Sequence, residues 1–228
     1  MRGPRVFVER IDIEGNTTTL DRVIRRQFNT VEGDPFNPRE IREAAERIRA
    51  LGYFKDADVN AREGSRPDQV VVDVEVEETT TGSLTFGASF SSDVGLGFSV
   101  GFRERNFLGR GQTLATSLSI SGEEANYRID FVEPAFLGRD VAFSFSSAYV
   151  ETDSDNALYD TEFASFRPGL TFPVAERSRL TLYYSATYTD QGQLFRHLAD
   201  AGGRIDAGRA LGQRHRLPLR LRFTPRRA

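Results

Sequence analysis

The sequence predicts a small α+β domain followed by antiparallel transmembrane β-barrel strands. One observation is the order of elements in residues 5–78, which reads β-α-α-β-β. The other is the period-two alternation in residues 82–111, where apolar residues occupy one parity and Thr, Gly and Ser the other. The apolar positions are Leu84, Phe86, Ala88, Phe90, Leu96, Phe98, Val100 and Phe102. Barrel strands of about ten residues show this alternation because one face meets lipid and the other the lumen.

The composition excludes several classes of protein. A formal net charge of −3 over 228 residues argues against a nucleic-acid-binding protein. No run of 18 apolar residues occurs, which excludes a transmembrane helix. A mean hydropathy of −0.43 remains compatible with barrel strands, because alternation dilutes the average. The chain has no cysteine, so disulfides, cysteine metal sites and thiol nucleophiles are excluded.

The first half of the α+β segment predicts a strand and a short helix. Val and Ile alternate imperfectly over residues 5–14, and the Gly15-Asn16 pair is a turn signal. Residues 18–21, Thr-Thr-Leu-Asp, fit a capping box that starts the helix. Its apolar face is predicted to carry Leu20, Val23, Ile24 and Phe28.

The second half predicts a longer helix and two strands. Asn37 is a predicted cap with Pro38 at the first helical position, and Gly52 is predicted just beyond the helix end. The apolar face at helical spacing is Ile41, Ala44, Ala45, Ile48 and Leu51. Residues 53–61 and 69–77 then read as strands, the second with valine at every other position. The helices are expected to cover one face of a small sheet.

Four runs in this segment carry a family resemblance. IEGNTTT, EGDPFN, LGYFKDADV and VVVDVEVEE follow one another in an order and spacing that resemble a POTRA domain. This is the periplasmic module that precedes the barrel in the BamA superfamily. The resemblance implies a POTRA-like periplasmic domain over residues 5–78.

Residues 79–195 contain seven strand candidates joined in up-and-down order. They are 84–90, 96–102, 112–121, 125–133, 141–149, 163–172 and 179–189. The sixth is less regular and contains Pro168. A soluble sandwich with ordinary turns is the alternative, since half-buried soluble strands alternate in the same way.

The connections between these strands differ on the two sides of the predicted sheet. Segments 106–112 and 133–141 are short and share Phe-Leu-Gly-Arg, whereas the opposite connections are polar and acidic, an asymmetry typical of outer-membrane barrels. Phe107, Phe136 and Leu137 beside the short turns predict an interfacial girdle. The run NFLGRG, after an alternating hairpin and a POTRA-like domain, resembles the start of the BamA barrel.

Residues 196–228 differ from the rest, with nine arginines and two aspartates. Leucines 217, 219 and 221 and Phe223 alternate with Pro218, Arg220 and Arg222, which predicts an eighth strand with arginine toward the lumen. An aberrant end is the equal alternative, and a basic lipid anchor is a third. Seven or eight strands make only part of the sixteen-stranded barrel that the resemblance implies, so we expect a partial barrel and a fragment.

The resemblance also implies a function and a place. Members of the BamA superfamily fold and insert β-barrel clients into the outer membrane, and their first barrel strand opens as a lateral gate where client strands pair. Expected partners are unfolded outer-membrane protein clients, periplasmic assembly lipoproteins and outer-membrane lipid, with no nucleic acid. The expected location is the outer membrane, with the N-terminal domain in the periplasm. A two-partner-secretion translocator and a small outer-membrane porin or adhesin are the alternatives.

Three sets of site residues follow from this resemblance. The client-pairing strand comprises Leu84, Thr85, Phe86, Gly87, Ala88, Ser89 and Phe90. The POTRA edge strand for a peptide or partner comprises Tyr53, Phe54, Lys55, Asp56, Ala57, Asp58, Val59, Asn60 and Ala61. The periplasmic turn comprises Asn106, Phe107, Leu108, Gly109, Arg110 and Gly111.

No motif in the sequence indicates an enzyme. The run Gly97–Gly101 fits the pattern G-x-S-x-G but lies inside a predicted strand, so no serine sits in a nucleophile elbow, and no glycine-rich run opens a helix as a phosphate loop would. Glu75, Glu77 and Glu78 form a charge cluster at a strand end, interpreted as a solvated face and linker. We therefore expect no catalytic residues, no cofactor and no metal.

Overall fold

A computed structural model describes residues 6–92, 95–122, 124–153, 160–175, 178–192 and 219–225. The chain divides into two compact units. The first comprises Met1–Gly82 together with Arg105–Gln112, and the second comprises Ser83–Glu104 and Thr113–Ala228. The short segment 105–112 thus belongs to the first unit, although the strands on either side of it continue in the second.

The first unit has the predicted order β-α-α-β-β. Its elements are β1 (Phe7–Glu14), α1 (Asp21–Arg25), α2 (Pro38–Ala50), β2 (Phe54–Glu63) and β3 (Gln69–Glu78). The sheet order is β1-β3-β2, with β1 parallel and β2 antiparallel to β3. The predicted apolar face of α2 is buried at Ile41, Ala44 and Ile48, and these residues share one core with Val72 and Val74 of β3.

The ends of α2 form as the sequence predicts. The Asn37 side chain accepts a hydrogen bond from the Arg39 N–H at 3.1 Å, and Pro38 stands at the first helical position. Gly52 follows the helix at φ +67°, the left-handed conformation that glycine adopts without steric cost. The residue types at the two ends of α2 were therefore sufficient to predict where this helix begins and ends.

The capping box predicted for residues 18–21 is wrong. Leu20 is the N-cap of α1, and no side chain makes a capping hydrogen bond there. The Asn16 amide donates to Asp21 Oδ1 at 2.8 Å, while Glu78 at the end of β3 accepts from the Thr18 and Thr19 N–H groups. A long-range carboxylate thus fixes the loop that precedes α1, although it does not cap the helix. Leu20 is half-exposed, whereas the other predicted face residues Val23, Ile24 and Phe28 are buried.

The second unit is an antiparallel sheet with the predicted up-and-down order. Its strands are β4 (Gly82–Ser91), β5 (Gly95–Phe107), β6 (Gln112–Ile120), β7 (Glu124–Glu133), β8 (Ala142–Thr152), β9 (Asp160–Ala175), β10 (Ser178–Tyr184), β11 (Ala186–Gly192) and β12 (Leu219–Pro225). The path runs β12-β10-β9-β8-β7-β6-β5-β4, and β11 also pairs with β9. In the described residues, β4 and β12 are the two ends of this path and do not pair with each other.

The seventh strand candidate forms as two pieces in a single register. Tyr183 of β10 pairs with Gly169, and Ala186 of β11 pairs with Phe166, so the register does not change between the pieces. By this register Tyr184 faces Pro168 and Ser185 faces Arg167, and Pro168 has no N–H to donate to the ladder. The predicted strand 179–189 is therefore confirmed, with a break that proline causes.

The C-terminal arginine-rich segment contains a described strand. Leu221 of β12 pairs with Leu182, and Phe223 pairs with Leu180. This register supports the eighth-strand alternative for residues 219–225, whereas Leu217 and Pro218 lie outside the described residues.

Neither α1 nor any other helix in the described residues has the length and apolar character that a membrane span requires.

Candidate functional site

The first candidate site is the edge formed by β4. All seven predicted client-pairing residues lie within this strand. In the described part of the chain, β5 is the only strand that pairs with β4. Phe86 and Phe90 are 72% and 79% exposed, and Leu84 is similarly exposed on the same parity. The strand therefore presents an apolar face and an edge whose backbone N–H and C=O groups have no neighbouring strand in the described structure.

The other face of β4 is built from small residues. A Cβ at Gly87 would meet the Ser99 hydroxyl at 2.5 Å, and one at Gly97 would meet the Ser89 hydroxyl at 2.7 Å. Gly87 and Gly97 thus each face a serine across the β4–β5 ladder. Small side chains contribute little packing between neighbouring strands. On this face, β4 is therefore held to β5 mainly by backbone hydrogen bonds.

The second candidate site is the free side of β2 in the first unit. The sheet order β1-β3-β2 puts β2 at an edge, and it runs from Phe54 to Glu63, two residues beyond the predicted end. Phe54 and Ala57 point into the core. Tyr53 is not part of this strand, because it precedes β2 and is buried.

Charged side chains flank the β2 edge. Lys55 lies at a register shift and pairs with Glu77 at 2.9 Å, and Arg62 pairs with Asp73 at 2.6 Å. Bulges and charges are the usual means by which an exposed edge avoids uncontrolled strand pairing. A partner strand at β2 must therefore be compatible with this charge pattern.

The third candidate site is the connection between β5 and β6, which is built into the first unit. Asn106 is only 6% exposed, and its side chain donates to Thr19 Oγ1 at 2.8 Å and accepts from the Gly111 N–H at 2.7 Å. The Leu20 N–H donates to the Gly109 carbonyl at 2.8 Å. The Tyr53 hydroxyl donates to the Gly111 carbonyl at 3.3 Å. Because these bonds are buried or partly buried, the connection is a structural part of this unit.

The strands extend into the segment predicted to be a turn. Asn106 and Phe107 are the last residues of β5, so the reversal itself lies at residues 108–111. Leu108 adopts φ +55° and Gly109 φ +68°. The Arg110 N–H closes the turn on the Phe107 carbonyl at 3.2 Å. Two successive residues with positive φ define the tight primed turn that suits a twisted hairpin.

Glu78 fixes the loop that holds this connection. Its carboxylate accepts from the Thr19 N–H at 2.6 Å, the Thr18 N–H at 3.0 Å and the Thr17 hydroxyl at 2.7 Å. Burial of the carboxyl alone would raise its pKa, but these hydrogen bonds outweigh burial and lower the pKa to about 2. The interpretation of Glu78 as a solvated linker residue is therefore wrong. Its partners are 59 to 61 residues away, and no local pattern reveals them.

The described residues contain no cluster of three or more His, Cys, Asp or Glu side chains that could hold a metal ion. The residues brought together by the fold are instead hydrogen-bonding groups of the first unit, namely Glu78, Thr19, Asn106 and Tyr53. These side chains hold the backbone of the loop before α1 and of the β5–β6 connection in place.

Two family models match the chain. The POTRA model, described as a surface antigen variable number repeat, matches residues 6–79. The Omp85 superfamily domain matches residues 106–223, which is more than half of the chain. The chain belongs to the Omp85 superfamily. The resemblance to BamA-type proteins, inferred above from the POTRA-like runs and NFLGRG, is thereby confirmed.

Curated relatives of this Omp85 chain are outer membrane protein assembly factors named BamA. The protein from Neisseria meningitidis is 29% identical over 184 residues, which cover 78% of this chain and 23% of the relative. The protein from Nitratidesulfovibrio vulgaris is 29% identical over 161 residues, covering 69% and 20%. The chain thus spans about a quarter of the length of these relatives.

Solved structures agree on the fold. BamA from Haemophilus ducreyi lacking POTRA domains 1–3 superposes with a TM-score of 0.71 at 24% identity, covering 97% of this chain and 43% of that one. CdiB from Escherichia coli gives a TM-score of 0.55 at 16% identity, covering 82% and 37%. The fold is therefore a POTRA domain followed by antiparallel barrel strands. Together with the curated relatives, it makes the chain an Omp85-family outer-membrane protein with a POTRA domain.

Proposed function

We propose that this Omp85 chain takes part in outer-membrane protein assembly by pairing client strands with the edge of β4. The supporting observation is that β4 ends the described sheet with an apolar face exposed and no second strand beside it. Unpaired N–H and C=O groups in a membrane cost several kcal/mol each, so such an edge strongly favours an added strand. A client segment with alternating apolar residues satisfies both the backbone and the lipid-facing side.

The first unit has a supporting role in this proposal. Its β2 edge offers a second place for strand addition, in the periplasm, to a peptide or an assembly lipoprotein. Outer-membrane lipid surrounds the apolar face of the second unit. The action consists of backbone pairing and burial, and we propose no catalytic residue, cofactor or metal.

A polypeptide translocator of the two-partner type is the second candidate. The two CdiB structures share the fold, at TM-scores of 0.55 and 0.54. Sequence favours assembly, since relatives at 29% identity over most of this chain carry the assembly-factor name. The two roles differ in the product, which is a folded membrane barrel in one and an exported polypeptide in the other.

Stiffening β4 tests whether its mobility is used in assembly. In a Ser99→Ala background, which removes the hydroxyl that a new side chain would meet, Gly87→Val raises strand preference by about 1 kcal/mol. If β4 must flex to admit a client strand at its free edge, folding of a radiolabelled eight-stranded outer-membrane protein in proteoliposomes should slow by roughly fivefold. Heat-modifiable gel migration measures the folded client.

Gly101→Val in the same background is the matched control. Gly101 lies in β5, which is paired on both sides, and an added Cβ meets its nearest neighbour at 3.9 Å. This variant should leave the folding rate of the client unchanged. Equal rates in the two variants would contradict the role of β4 mobility. Folding no faster than in vesicles without the chain would contradict the assembly role itself.

A further inference from the structure

The connection between β7 and β8 exposes a leucine in a backbone conformation that leucine rarely adopts. Leu137 has φ +56° and ψ +29°, Gly138 has φ +74°, and the Arg139 N–H closes the turn on the Phe136 carbonyl at 3.2 Å. The first position of such a turn normally carries Asn, Asp or Gly. Leucine is strained there, yet its side chain is 81% exposed. Neither turn formation nor protein packing accounts for this residue.

The first connection shows that the geometry is a property of the Phe-Leu-Gly-Arg sequence. Leu108 has nearly the same φ, and its turn has the same hydrogen bond. The surroundings differ, however. The Gly109 carbonyl accepts from Leu20, whereas no atom would lie within 4 Å of a Cβ added at Gly138. Leu108 is exposed as well, at 65%, but the backbone of its turn is bound to the first unit, whereas the space around the backbone of the β7–β8 turn is open.

An aromatic ladder connects the turn to the apolar face of the sheet. The Phe136 ring lies 5.3 Å from Phe143, which is 6.4 Å from Phe145. Phe145 in turn lies 5.6 Å from Phe131 and 6.3 Å from Phe166. Leu137 thus extends a continuous apolar surface of this unit beyond the end of the strands.

The charges in the turn leave one cation exposed. The Glu133 carboxylate accepts from the Ala135 N–H at 2.9 Å, and Asp140 pairs with Arg179 at 2.9 Å. Arg139 is exposed, and none of the ion pairs among the described residues involves it. The Arg139 guanidinium lies two residues from the exposed Leu137. This pair suits the surface of a phospholipid layer, where phosphate groups lie next to acyl chains.

We propose that the Pro134–Arg139 segment is a lipid anchor, with Leu137 inserted among phospholipid acyl chains and Arg139 on a lipid phosphate. The inference rests on the outer-membrane placement of the second unit. It identifies the energetic reason for leucine at this position, because transfer of the leucine side chain out of water is favourable and offsets the turn strain. Phospholipid is the occupant because the turn continues the same apolar face that the barrel strands present to the bilayer.

Single tryptophans test this anchor, since the chain has none. Leu137→Trp, Phe98→Trp and Val31→Trp are refolded into vesicles of phosphatidylethanolamine and phosphatidylglycerol with or without acyl-chain bromination. Phe98 is exposed on the apolar face of β5, and Val31 is exposed on the first unit. We expect brominated lipid to quench tryptophan at 137 and 98 and to leave tryptophan at 31 unchanged.

The three positions distinguish the two ways in which the proposal can fail. Quenching at 98 without quenching at 137 would overturn the anchor and leave the proposed function intact. No quenching at 98 would overturn the membrane placement on which both depend.

Leu137→Asn provides a second readout, because asparagine fits the turn better than leucine. It should lower the urea midpoint in vesicles if the lipid contact exists. A raised or unchanged midpoint would overturn the proposal.

Discussion

Gly109→Ala is expected to destabilise the first unit by about 3 kcal/mol, the sum of backbone strain and lost hydrogen bonds. Gly109 has φ +68°, and an added Cβ would overlap the carbonyl oxygen of Thr18. That backbone cannot move away easily, because Glu78 holds the Thr18 N–H at 3.0 Å. Relief of the overlap therefore breaks the bond between the Leu20 N–H and the Gly109 carbonyl.

Gly33→Ala is the control for strain alone. Gly33 lies in the same unit at φ +93°, with no atom within 4 Å of the added Cβ, so about 1–2 kcal/mol is expected. Urea unfolding of the full chain in micelles, followed by the helical circular dichroism band, reports this unit because α1 and α2 both lie in it. Equal destabilisation by the two substitutions would show that the connection is not packed against residues 18–20.

Glu78→Gln is expected to destabilise the same unit by about 2 kcal/mol at neutral pH, the scale of charge-assisted hydrogen bonds. Glutamine keeps one acceptor oxygen, but its NH2 group cannot accept and replaces the second oxygen that now accepts hydrogen bonds from the Thr17–Thr19 segment. Glu77→Gln is the neighbouring control. Glu77 makes one exposed ion pair with Lys55 and should change stability by less than about 1 kcal/mol.

The pH dependence of stability isolates the charge of Glu78. Its folded pKa of about 2 lies below the ordinary value of 4.5, so the stabilisation is fully present above about pH 4.5 and is lost as the pH falls toward 2. In Glu78→Gln this part of the pH dependence should disappear, while Glu77→Gln should retain it. Urea midpoints of both variants between about pH 7 and about pH 3 measure the difference. Identical pH profiles would contradict the assigned hydrogen bonds.

The sequence predicted those parts of the fold that local chemistry determines. Alternation identified the strands because one face of each is apolar, and the Asn37-Pro38 pair with Gly52 identified α2. The break beside Pro168 follows from a missing N–H, although the sequence placed a single strand there. In each case the decisive residues are neighbours in the chain.

The parts that the sequence did not predict depend on distant contacts or on disfavoured conformations. Glu78 looked like a linker residue, since its threonine partners lie some sixty residues away. The burial of Asn106 could not be read from a turn motif, because Thr19 supplies the partner. Leu108 and Leu137 occupy positive φ, where propensity alone would place glycine or asparagine.

The central claim is that client strands pair with the edge of β4, and disulfide trapping tests it most directly because the chain has no cysteine. Ser89 in β4 and Ser119 in β6 are both exposed and line the same depression on one sheet face, but β6 has strands on both sides. A client with one cysteine in a terminal strand is oxidised during assembly in proteoliposomes. We predict a disulfide with Ser89→Cys and none with Ser119→Cys. Equal trapping at both positions, or an assembled client with none at Ser89→Cys, would contradict the account.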